Sequence, residues 1–218
     1  MEHMNRRLFL GKSLCGAAAL SAGANTLSMA LTSDKSSEIK QKNKPKGSMQ
    51  KQVEYRRAIR TKYPEQLIIT IAKDKNGKAN PMTMGWTMIT SGSPPMMAVS
   101  LSKGHYTTQC IKHSKCFTIV YPSSDMADAA LYFGTHTGWN VDKFAEFDCP
   151  HEPAKEIDSV LLTEAVANFE CQLEDQLVTG DHIIFVGRIV AAHINTEPKK
   201  RLYIVGTGSK LGAVQVVK

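Results

Sequence analysis

Residues Asn80–Ser102 read N-P-M-T-M-G-W-T-M-I-T-S-G-S-P-P-M-M-A-V-S-L-S, and this stretch decides the fold. From Asn80 to Thr90 it is rich in Met, Thr, Trp and Ile, residues that suit a pleated, half-buried surface. The Ser91–Pro95 segment is a turn by composition, and Met96–Leu101 follows as a second strand. Outward on the N-terminal side lies Leu67–Ala72 (L-I-I-T-I-A), joined through Asp74-Lys75-Asn76-Gly77, an Asn-Gly hairpin signal. Gln50–Lys62 reads as a short basic helix ended by Pro64. On the C-terminal side the pattern predicts a helix over Gly104–Ser114, a strand over Cys116–Tyr121 (C-F-T-I-V-Y) and a helix over Asp125–Phe133, capped by Ser123 or Ser124. Two long strands, Val166–Leu177 and His182–Ile194, meet at Thr179-Gly180-Asp181. Strands dominate and do not alternate regularly with helices, which predicts a mainly β barrel with peripheral helices. No G-x-G-x-x-G or G-x-x-x-x-G-K-[ST] follows a strand, so Rossmann and P-loop sites are excluded.

The formal charge of the 218-residue chain is +7, yet it is unevenly placed. Met1–Lys62 carries 13 Lys/Arg against 4 Asp/Glu, whereas Tyr63–Lys218 carries 14 against 16. The domain has no basic nucleic-acid footprint of its own. Its apolar fraction of 42% is that of a globular protein with a real core. The first residues supply the basic excess: Asn5–Lys12 reads N-R-R-L-F-L-G-K, followed by a mildly apolar stretch over Ser13–Leu31. A charged start, an apolar middle and small residues at Ser28-Met29-Ala30 or Ala22-Gly23-Ala24 make a secretory signal. Arg6-Arg7 followed by Leu8-Phe9-Leu10 is similar to a twin-arginine export signal, which implies an extracytoplasmic, periplasmic address and a protein folded around its cofactor before export. The expected organisation is a signal over 1–31, a polar disordered linker over 32–49 and one domain over 50–218. No stable membrane span is expected after processing.

Among the five cysteines, Cys110, His113 and Cys116 form C-x2-H-x2-C, readable as a metal half-site or as one turn of helix running into a strand; the second reading is preferred and no metal is expected. Met84, Met88, Met96 and Met97 fall at strand spacing and read as packing. His105, His113, His136, His151 and His193 share no metal spacing and read mostly as surface residues.

The Asn80–Ser102 segment closely resembles the second and third strands of flavin reductase-like, FMN-binding split-barrel proteins, with the flavoredoxin branch most similar. Further motifs fall in register: Tyr106-Thr107 with Ile111; Cys116–Tyr121 with Pro122; Gly134-Thr135-His136-Thr137-Gly138 leading to Asp142-Lys143-Phe144; and Glu170-Cys171 followed by Gly180-Asp181-His182 and Phe185-Val186-Gly187. The resemblance covers roughly residues 68–190 and implies a Greek-key split barrel of about six strands, a homodimer with FMN between subunits, and NADH or NADPH as electron donor. It implies reduction of FMN with electrons passed to ferric iron, free flavin or another acceptor, or alternatively a carrier that exchanges electrons with a redox partner protein. The strand at Gly85, Trp86, Thr87, Met88 and Ile89 would run beside the flavin ring, with Trp86 itself read as a core or dimer-interface residue. Ser100, Leu101, Ser102 and Lys103, with Tyr106 and Thr107 opening the next helix, would hold the phosphate end, and Lys143 would supply a second cation. His182 carries two readings: a catalytic histidine on the nicotinamide side of the flavin, or one that orders the barrel turn. Two positions depart from the family pattern: Lys103, where arginine is frequent, and Thr137-Gly138-Trp139, where Ser-Gly-Arg is frequent.

Overall fold

In the computed structural model, which describes residues 50–215, the Asn-Gly hairpin forms as the sequence demands. Gly77 adopts φ +79°, and the Asp74 carboxylate accepts the N–H groups of Asn76 and Lys78. The leader and linker lie outside the described residues. In chain order the elements are α1 (Tyr55–Ala58), β1 (Glu65–Gln66), β2 (Ile68–Lys73), β3 (Ala79–Met84), β4 (Thr87–Gly92), β5 (Pro95–Ser102), α2 (Tyr106–Ser114) and β6 (Cys116–Tyr121). There follow α3 (Ala127–Thr135), α4 (Lys143–Glu146), β7 (His151–Pro153), β8 (Val160–Leu162), β9 (Ala167–Thr179), β10 (His182–Ile194), β11 (Lys200–Gly206) and β12 (Lys210–Gln215).

Seven strands form one antiparallel sheet in the order β3-β2-β6-β9-β10-β5-β4. Its two edges, β3 and β4, are joined by only Gly85 and Trp86. Two residues span too little distance for the edges to stay apart, so the sheet curls until they meet. No ladder joins β3 to β4, and this seam is the split in the barrel. The sheet has one strand more than the six expected.

Strand parity sorts β2 between two cores. Ile68 and Ala72 point into the barrel with Met97, Val99, Leu101, Phe117 and Phe185, and α2 closes that interior with Cys110 and Ile111. Ile69 and Ile71 point outward, where Phe133 of α3, Leu162 and Leu202 cover them. Burial on both faces explains why β2 reads as a continuous apolar run. The barrel is filled by side chains, so a flavin has to lie outside it.

Three local expectations are corrected. The basic N-terminal helix shrinks to the single turn of α1 and a 3₁₀ turn over Ile59–Lys62. The helix expected from Asp125 starts at Ala127 after a 3₁₀ turn, and neither serine caps it; Ser123 is fully buried and bridges Arg201 instead. The C-terminal region, given no strands by the sequence, pairs β1-β11-β12 in a second sheet, and β7 pairs with β8.

Candidate functional site

The seam and the β5–α2 connection bring most of the sequence-selected residues to one side of the barrel. Parity in β5 decides which of them face outward: Ser100 and Ser102 are half-buried, while Leu101 is fully buried among the interior side chains. The Leu101 side chain therefore packs the core and does not belong to a surface site. Trp86, Thr87, Met88 and Ser100 line an apolar groove of about 270 Å³ together with Ala98 and Ile184. The Ser100 N–H donates to the Trp86 carbonyl, and the Thr87 hydroxyl donates to the Ala98 carbonyl, which fixes the groove floor. Trp86 is 47% exposed and not a core residue, and Met88 and Ile89, at 54% and 73%, are not packed either. Gly85 forms the turn that delivers this strand.

A second pocket, about 220 Å³, is polar and lies where α2, β3 and the end of α3 converge. Its walls include Asn80, His105, Tyr106, Thr107, Gly138 and Lys143, and no carboxylate lines it. Asn80 donates through Nδ2 to the buried Thr107 hydroxyl at 2.8 Å. Lys143 is buried, and its ammonium donates to the carbonyls of Pro81 (2.9 Å) and Phe133 (2.8 Å). Burial pushes its pKa down to about 8. Burial also lowers the pKa of His105, and the nearby His182 and Lys143 lower it further. A Cβ on Gly138 would stand 2.2 Å from Asn80 Oδ1 and 2.4 Å from the Tyr106 ring, so only glycine lets the 137–139 turn close the pocket.

His182 links the two regions. Its ring lies 4.7 Å from that of Trp86, and Nδ1 is 2.6 Å from Oδ1 of Asp181. Its position opposite Ser102 follows from the β10–β5 register. The hydrogen bond to His182 holds the Asp181 carboxyl below the usual carboxylate range. Lys103 turns the other way: its ammonium donates to the Gly180 carbonyl at 2.6 Å and its N–H to the Asp181 carbonyl, so it braces the β9–β10 turn. The expected phosphate cluster is thus divided, with Ser100 in the apolar groove, Thr107 in the polar pocket and Lys103 on the hairpin.

Sequence reasoning missed Asn80. It opens the decisive segment, but only the fold shows it bonded to Thr107 beside Lys143. The C-x2-H-x2-C stretch is the last turns of α2 entering β6, with both thiols buried. Among the described residues no group of three His, Cys, Asp or Glu side chains is arranged to hold a metal, and no helix is long and apolar enough to cross a membrane. Of the histidines read as surface residues, His193 is instead half-buried against Glu170.

The residues present fit a flavin mononucleotide. An apolar groove suits a flat ring, and an acid-free pocket with a buried amine and hydroxyl suits a dianionic phosphate. Comparison with known proteins agrees. The Flavin reductase like domain family matches residues 60–210. The flavoredoxin of Methanosarcina acetivorans superposes with a TM-score of 0.69 at 25% identity, over 78% of this chain and 94% of that one. An uncharacterized protein of Archaeoglobus fulgidus is 29% identical over 113 residues, which are 52% of this chain and 64% of that protein. The NADH-dependent FMN reductase AsuE2 of Streptomyces nodosus subsp. asukaensis is 24% identical over 160 residues, 69% of this chain and 80% of that enzyme.

Proposed function

Because the chain belongs to the flavin reductase-like family, and is a flavin reductase-type oxidoreductase on that ground, we propose that it binds FMN across the apolar groove and the polar pocket and reduces it with NADH or NADPH. Electrons then pass to ferric iron, free flavin or another small acceptor. The observation that carries this reading is the pairing of an apolar groove, with the His182 ring 4.7 Å from that of Trp86, and an acid-free polar pocket holding Lys143. When bound, FMN supplies hydride and single-electron chemistry. The chain contributes binding and alignment. Thr87, Met88 and Ser100 bound the ring groove, whereas Asn80, Thr107 and Lys143 offer hydrogen-bond donors and positive charge to the phosphate. His182 is fixed by Asp181 and Trp86, which suits a positioning role, since hydride transfer requires stacking and alignment and no obligatory acid or base.

A second reading is an exported electron carrier fed by a partner protein. The Arg6-Arg7 leader supports it, because pyridine nucleotides are scarce outside the cytoplasm, and so does the likeness to flavoredoxin. In both readings the domain acts as a homodimer through the exposed strip Trp86–Met88–Ile89 beside the groove. Anaerobic mixing of the flavin-loaded protein with NADH and then NADPH distinguishes them. Rapid loss of the oxidised flavin absorbance is the outcome expected of a reductase. No loss with either nucleotide, with dithionite still effective, overturns the hydride reading in favour of the carrier.

A further inference from the structure

On the other side of Tyr106 lies a third pocket of about 330 Å³, at the lower end of the ~300–1,000 Å³ typical of small-molecule sites. It is larger than either region of the flavin site. Its walls include Asp74, Lys75, Tyr106, Gln109, His113 and Trp139. Trp139 is 59% exposed, which for an indole demands a reason. The indole is nevertheless held: Nε1 donates to the Gly104 carbonyl at 3.3 Å, the ring meets Tyr106 edge-on at 4.7 Å, and Gly138 brings the turn close against the Tyr106 ring. Tyr106 is fixed in turn by its hydroxyl, which donates to Asp74 at 2.6 Å.

The charges around this aromatic corner are not balanced. The single carboxylate, Asp74, is buried and spent on the Tyr106 hydroxyl and the N–H groups of Asn76 and Lys78. Lys75 and His113 stand at the rim, and the Lys78 ammonium lies 5.8 Å from the Tyr106 ring centroid. An immobilised, half-exposed aromatic surface with cations beside it suits a planar heteroaromatic ring that carries phosphate. Gln109 adds a side-chain amide able both to donate to and to accept from such a ring. Tyr106 walls this pocket and the polar pocket alike, so the two are adjacent.

We propose that the Trp139–Tyr106 pocket binds the adenosine phosphate half of a dinucleotide, with the base stacked on Trp139 and the phosphate facing Lys75 and Lys78. The inference rests on the flavin-site reading above. Two ligands carry this group, the nicotinamide dinucleotide donor and FAD.

The test is calorimetric titration of 5′-AMP into the full, flavin-loaded chain, with Trp139→Ala and Lys75→Ala as comparisons. The native chain is expected to bind 5′-AMP, and Trp139→Ala to weaken it about tenfold. Lys75→Ala, at an exposed position, is expected to weaken it by a smaller factor. Absence of binding at millimolar 5′-AMP, or unchanged affinity in Trp139→Ala, overturns the proposal. Two further pairs identify the source. Selective loss in Trp139→Ala of a preference for NADH over reduced nicotinamide mononucleotide assigns the pocket to the donor. Loss of a preference for FAD over FMN assigns it to the flavin, and loss of neither overturns the proposal. Failure of NADH and NADPH to bleach the flavin, with 5′-AMP still held through Trp139, refutes the hydride reading alone and leaves this site standing.

Discussion

Lys143 shows most clearly how burial changes what a charge can do. Its ammonium is enclosed by two carbonyls, and burial brings its pKa to about 8, within reach of physiological conditions. The charged form prevails below that pH and the neutral form above it. Affinity for FMN is therefore expected to be full between about pH 6, above which the phosphate is dianionic, and about pH 8. It is expected to fall as pH rises through about 8, and this alkaline fall is the dependence that Lys143→Met removes. A charge-assisted hydrogen bond is worth about 1.5–3 kcal/mol, so the substitution is expected to cost ~10- to 100-fold in FMN affinity near neutrality. Fluorescence titration of the flavin-free protein with FMN measures both effects, and a flat pH profile in the native chain refutes the assignment. An Asp-Lys-Phe motif marks Lys143 in the sequence, and the fold buries its ammonium against the Pro81 and Phe133 carbonyls. Asn80 carries no such mark, since its role depends on Thr107, distant in sequence and joined to it only by the packing of α2 on β3. Leu101 differs from its neighbours because strand alternation turns every second side chain into the core, so only its backbone faces the surface row of Ser100 and Ser102.

At the scale of elements, a buried carboxylate helps tie the barrel to its long α4–β9 connection, beside the Thr118–Ser159 and Asn168–Leu162 hydrogen bonds. Glu170 on β9 accepts the N–H groups of Lys155, Glu156 and Ile157, and His193 on the neighbouring strand meets it at 2.7 Å. Burial raises its pKa, but these hydrogen bonds together outweigh that effect and leave it below the ordinary glutamate value. Since folding lowers this pKa, its stabilisation is fully present above the usual glutamate range and is lost as pH falls below it. Glu170→Gln is expected to lower stability by about 1.5–3 kcal/mol at neutral pH and to flatten its acid dependence. Urea melts at a series of pH values check this, and parallel curves for the two proteins would contradict it. The Glu170-Cys171 motif announced a special position but not its partners, because residues 155–157 have no regular structure to announce. The β2–β3 hairpin was readable because Asn-Gly dictates its turn locally. The strands β11 and β12 went unread although most of the pairing of β11 is local, with β12 across the Gly206–Lys210 turn; its other partner, β1, is a two-residue element at the opposite end of the domain.

For the whole molecule the question is what covers the exposed apolar strip beside the seam. Edge strands with unpaired backbone groups and exposed side chains invite a second chain. Ile89, the most exposed of the three, is the place to interrupt a dimer with least harm to the barrel. Ile89→Lys is expected to convert the protein from dimer to monomer in sedimentation velocity and to weaken flavin retention, while leaving the folded circular dichroism spectrum unchanged. A native chain that sediments as a monomer refutes the dimer. The mainly β class was foreseeable from the density of strands, and an interior filled by side chains from the small size of the barrel. The three-stranded β1-β11-β12 sheet has a different consequence, one of mechanics. The first strand of the domain is paired to the penultimate one, Glu65 opposite Ile204 and Gln66 opposite Tyr203. A pull along the chain from residue 64 loads the first pair before the second, so β1 peels away as a zipper opens. The tension falls first on these two pairs and on the hydrogen bond from Gln66 Nε2 to the Thr87 carbonyl, which ties β1 directly to β4 of the seven-stranded sheet.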